Sequence, residues 1–61
     1  VSVVVVDALS GAVVHVGQVE AVLERAVVVQ SPRGGAWHFR RRDGRGVGSV
    51  DDLKLSGDSW R

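Results

Sequence analysis

The segment Trp37-His38-Phe39-Arg40-Arg41-Arg42, continued by Arg45, concentrates the reactive and charged groups of the chain. Guanidinium groups grip phosphates and carboxylates through a fixed fork of donors, and aromatic rings stack on bases. On an extended strand, Trp37, Phe39 and Arg41 share one face, and His38, Arg40 and Arg42 share the other. The aromatics then belong to the interior, and at least Arg40 and Arg42 to solvent. Three uses of such a surface stand side by side: an ordinary charged outer strand face, a nucleic-acid surface, and a dock for acidic protein residues. Trp60 adds a large ring near the C-terminus. It either folds back over the end of the domain or anchors a neighbour, since tryptophan is enriched at binding hot spots.

Other chemistry is thinly represented. His15 and His38 are the only imidazoles, and with Asp7, Asp43, Asp51 or Asp52 they show no zinc-ligand spacing. Cysteine is absent, which excludes disulfides, Cys-based zinc sites and thiol chemistry. The serines at 2, 10, 31, 49, 56 and 59 fall mostly in turn sequences, and their order alone builds no Ser–His–Asp triad. Gly44-x-Gly46-x-Gly48 superficially suggests a phosphate loop, but no following helix or βαβ unit accompanies it, so it reads as a flexible turn. A chain of 61 residues is also too short to enclose a substrate cleft unless several copies share one. The expectation is therefore no enzyme, no cofactor, no metal and no small-molecule substrate.

Charge narrows the partners. Eight basic and seven acidic residues leave a net charge of +1, far below the basicity of a strong nucleic-acid binder. Fifteen residues are valine, seven of the eight basic residues are arginine, and Ile, Asn, Thr, Tyr, Met and Cys are missing. That usage fits a GC-rich genome, such as an actinobacterium or one of its phages. No apolar run approaches a membrane span, and Val3–Val6 is too short and lacks the basic leader of a signal peptide. The cytoplasm, or a virion assembled there, is the default compartment.

These side chains must be positioned by a small set of elements. Ser2–Asp7 is a strand, because valine is stiff at χ1 and suits a pleated sheet. Ser10-Gly11 turns the chain into a second strand, Ala12–Val16. Residues 17–27 are ambiguous. Val19, Val22, Leu23, Ala26 and Val27 match helical spacing, yet no capping residue starts a helix and no Gly or Pro ends it. Extended structure with a turn near Leu23–Arg25 is preferred, and a helix at 18–26 is the alternative. Ala26–Gln30 and Ala36–Arg42 flank the turn Ser31-Pro32-Arg33-Gly34-Gly35 and read as a hairpin. Asp43–Gly46 turns again. Ser49–Asp52 suits one helical turn, capped by Ser49 with Asp51 and Asp52 near its positive end, and Leu53–Leu55 is a last strand. Residues 1–56 form one domain, followed by a loose tail at 57–61.

Gly17-Gln18-Val19, Val22, Val27 and Val29 give the pattern G-x-V-x-x-V-x4-V-x-V. It resembles the KOW element and, more loosely, the SH3-like small barrels that contain it. The resemblance implies that Gly17 ends a strand and that the valines line the inner face of the next hairpin. It also implies a short 3₁₀ turn and last strand over Ser49–Leu55. KOW elements that touch RNA carry basic residues just before the glycine; Val14, His15 and Val16 stand there instead.

The fold expected is an all-β, SH3-like barrel of about five strands, with an α+β ββαββ arrangement as the alternative. A domain this small buries only about 60% of its unfolded surface, so a protein partner or self-association is expected to add stability. The function expected is a non-catalytic interaction or assembly module, such as a phage structural or accessory protein. Its partners would be recruited by strand addition at an unpaired Val1–Val6 edge or by Trp60. The alternative is nucleic-acid binding through Arg40, Arg41, Arg42 and Arg45, with Trp37 and His38 beside them.

Overall fold

The computed structural model describes residues 1–57 and Trp60. Five antiparallel strands form one curled sheet in the order β4-β3-β2-β1-β5: β1 Ser2–Asp7, β2 Val13–Val22, β3 Ala26–Gln30, β4 Ala36–Arg40 and β5 Leu53–Ser56. A single 3₁₀ turn, Gly48–Val50, precedes β5. The fold is all-β, a curled half-barrel, and no helix occupies 18–26.

The long strand β2 curls the sheet. Its first half pairs with β1, from Val13↔Val6 to Gln18↔Ser2, and its second half pairs with β3, from Val19↔Val29 to Val22↔Val27. Gly17 therefore does not end a strand but sits at the handover inside one. A Cβ there would lie 2.9 Å from Val29 Cγ1 and 3.0 Å from the Gln30 carbonyl oxygen. Only a residue without a side chain lets the two halves fold this closely on β3. The helical periodicity of 17–27 is overridden by these ladders, and the chain reverses at Leu23–Arg25, where the Leu23 N–H donates to the Ala26 carbonyl at 2.7 Å.

Alternation fills the interior. Val3 and Val5 of β1, Val27 and Val29 of β3, Phe39 of β4, and Leu53 and Leu55 of β5 form one cluster with Val50 and Trp60. Each fully buried valine or leucine contributes about 1.5–3 kcal/mol, so a cluster of this size carries most of the favourable free energy of a small domain. Among the valines of the KOW-like pattern, Val27 and Val29 are interior, Val19 is half-buried against the cluster, and Val22 is exposed.

The sheet's two outer strands, β4 and β5, are linked by residues 44–47. Arg40 N–H donates to the Arg45 carbonyl at 2.7 Å and Val47 N–H to the His38 carbonyl at 3.1 Å. On the other side, Gly46 N–H donates to Leu53 O at 2.9 Å and Leu55 N–H to Gly44 O at 2.8 Å. The glycine-rich segment is thus a paired tie, not a flexible turn. Gly44 and Gly46 are buried, the first under the Trp60 ring and the second under Val50.

Four further expectations change. β4 stops at Arg40 and not Arg42, because the Gly44 N–H closes a turn on the Arg40 carbonyl at 2.7 Å. The 3₁₀ turn starts one residue early, with Val47 at its N-cap and no side-chain cap from Ser49. Asp51 and Asp52 consequently follow the turn, at its negative end. β1 has no free edge: β2 pairs along one side and β5 along the other, from Val4↔Ser56 to Asp7↔Leu53. Strand addition at Val1–Val6 is closed off. Of the tail, Asp58, Ser59 and Arg61 lie outside the described residues.

Candidate functional site

The arginine-rich segment is divided by the end of β4. Phe39 points inward and is fully buried. His38 and Arg40 are exposed on the outer face, opposite Val28 and Ala26 of β3. Arg41, expected beside Trp37 and Phe39, lies past the strand and is exposed, since the turn frees it from alternation. Its backbone N–H donates to the Arg25 carbonyl at 3.1 Å, and its guanidinium reaches the Leu23 carbonyl at 3.4 Å. The turn after β4 is thereby tied to the β2–β3 turn.

Between those two turns lies an open groove of about 680 Å³, lined by Glu24, Arg25, Arg40, Arg41 and Arg42. Arg40 Nη2 forms an ion pair with Asp43 Oδ2 at 2.6 Å. Both partners are partly exposed, so solvent screens the pair, and it chiefly lowers the free charge of Arg40. The Arg45 backbone N–H, donating to Asp43 Oδ1 at 3.0 Å, holds the Asp43 carboxyl below its ordinary range, and the Arg40 and Arg42 charges act in the same direction. Arg25, which the sequence pattern did not single out, joins the groove because Ala26 pairs with Arg40, which sets the β2–β3 turn beside the end of β4.

Arg45 does not join it. Its side chain lines a separate shallow depression of about 390 Å³ with Asp7, Ala8, Leu9 and Asp52. The Asp7 carboxyl there is pulled below the usual carboxylate range, first by the Ser10 N–H and then by the Leu9 N–H, both donating to Oδ1 at 2.9 Å.

The two tryptophans are structural. Trp60 is 2% exposed, and its indole Nε1–H donates to the Gly57 carbonyl at 2.7 Å. Of the two roles open to it, folding back over the domain is the one observed. Trp37 is half-buried against the core and meets the His15 ring edge-on, with centroids 5.8 Å apart. His15 Nε2 lies 3.3 Å from the Gln30 carbonyl oxygen. Neither tryptophan borders the arginine groove.

A second surface lies on the outer side of β1 and β2. Val16 faces Val4 across the pair, Val4 in turn faces Ser56 of β5, and Val14 continues the same side of β2. Val14 and Val16 are 49% and 59% exposed, and Val4 is half-buried. The strip is bordered by the Gln18 amide, which donates to the Ser2 hydroxyl at 2.9 Å, and by exposed Lys54 of β5, which lies opposite Val6. Sequence reasoning attended to β1 as an edge; it did not foresee that alternation on β2 leaves valines outward.

No group of three or more potential metal ligands converges among the described residues, and no helix is long and apolar enough to cross a membrane. Comparison with family models, curated proteins and solved structures returns no match.

Proposed function

We propose that this domain is a non-catalytic assembly module that associates with further copies of itself through the outer face of β1 and β2. The observation carrying this reading is the apolar strip of Val4, Val14 and Val16, left half-open on a sheet whose interior is already filled. Contiguous exposed valines on a sheet face cost solvation that a partner removes. Two copies related by a two-fold axis can meet along these three valines with Lys54 left at the rim, so that like charges are not pressed together at the centre. The curled five-stranded sheet, with a 3₁₀ turn before β5, supports reading the domain as an SH3-like small barrel. The valine- and arginine-weighted composition supports a phage structural or accessory protein from a GC-rich host, assembled in the host cytoplasm.

The test is molar mass by light scattering across a concentration series, for the wild type and for V14K/V16K. The wild type is expected to be oligomeric and the double variant monomeric, with an unchanged β spectrum. A wild type that stays monomeric at the highest soluble concentration overturns the proposal, as does a double variant of unchanged mass.

A further inference from the structure

The groove beside the β2–β3 turn is separate from the β1–β2 face and differs from it in chemistry. Its four guanidiniums are not equivalent. Arg40 is engaged by Asp43, and Arg41 is oriented by the Leu23 carbonyl. Arg25 and Arg42 make no ion pair among the described residues, and Glu24 is the single acid lining the groove. Leu23, at the tip of the same turn, is about half exposed.

We propose that this groove docks a carboxylate-rich protein segment carrying an apolar side chain, clamped by Arg25, Arg41 and Arg42 with Leu23 beside them. Charge complementarity selects an acidic partner, because guanidinium forks match carboxylates in geometry as well as sign. Arg41 is already held by its carbonyl contact, so less side-chain freedom is lost when an anion binds. The neighbouring apolar Leu23 suits a peptide side chain. A nucleic acid is matched less well. Single strands are held by aromatic platforms, and here Phe39 and Trp60 are buried while Trp37 is packed against His15 away from the groove.

The experiment is fluorescence anisotropy at low salt with two labelled probes of equal charge: a peptide of alternating glutamate and leucine, and an oligothymidylate. The peptide is expected to bind more tightly than the oligonucleotide, and to weaken as salt rises. R25E/R42E should weaken peptide binding by about tenfold or more, because two attractive charges become repulsive. Glu24→Gln should strengthen it, a gain that misfolding does not produce. Absence of peptide binding, tighter binding of the oligonucleotide, or indifference to both variants each overturns the proposal. None of these outcomes bears on molar mass, so this site and the β1–β2 face fail separately.

Discussion

Replacing Gly46 with alanine is expected to remove a large share of the stability of the fold, although it adds one methyl group. A Cβ on Gly46 would lie 1.8 Å from the Val50 carbonyl oxygen and 2.7 Å from its carbonyl carbon. Both are backbone atoms, so no side-chain rotation relieves the clash. The 3₁₀ turn Gly48–Val50 must move away from the tie, or the tie must leave β5. In the first case Val50, now 4% exposed, loses its place in the core, at about 1.5–3 kcal/mol. In the second, the Gly46 N–H to Leu53 and Leu55 N–H to Gly44 bonds are lost, at about 1 kcal/mol each. The first route adds some lost hydrogen bonding and the second some lost packing, so either costs about 3–5 kcal/mol. Domains hold about 0.05–0.15 kcal/mol per residue, or about 3–9 kcal/mol for 61 residues, so the loss is about a third or more of the whole stability. Gly34 is the control. Its φ of +87° strains an alanine, but a Cβ there meets nothing within 4 Å, and the cost should be about 1–2 kcal/mol. Urea unfolding followed by tryptophan fluorescence measures both. A Gly46→Ala midpoint equal to that of Gly34→Ala would refute the claim that this glycine is required by close backbone approach.

Trp60→Ala should destabilise the fold by about 3–5 kcal/mol, because the ring caps Gly44 and Leu55 inside the core; a shift below about 1 kcal/mol by urea titration would mean the ring is not packed there. Asp7 has a folded-state pKa below its ordinary 3.8, so its contribution is present above that value and is lost as pH falls through the lower folded one. Stability measured against pH should therefore fall off less steeply below 3.8 in Asp7→Asn than in the wild type, and identical slopes would contradict the Ser10 and Leu9 contacts as the cause.

Local chemistry made much of the architecture legible. Fifteen valines and the turn residues at 10–11, 31–35 and 43–44 dictate short antiparallel strands, since β-branched side chains resist other conformations and Gly, Pro and Asp accept tight reversals. Alternation on β4 correctly placed Phe39 inside and His38 and Arg40 outside. The strand pairing itself depends on residues distant in sequence. Whether β1 has a free edge is decided by β5, and whether Gly44 and Gly46 flex or lock is decided by Trp60 and Val50 arriving from further along the chain. The arginine groove has the same origin: Arg25 and Arg42 line one groove only because the pairing of Ala26 with Arg40 sets the β2–β3 turn beside the end of β4, while Arg45 is carried away by its bridge to Lys54. Residue types and short-range periodicity determine which segments extend and which bend. Only closure of the sheet decides which surfaces remain, because burial and charge proximity are properties of contacts between strands.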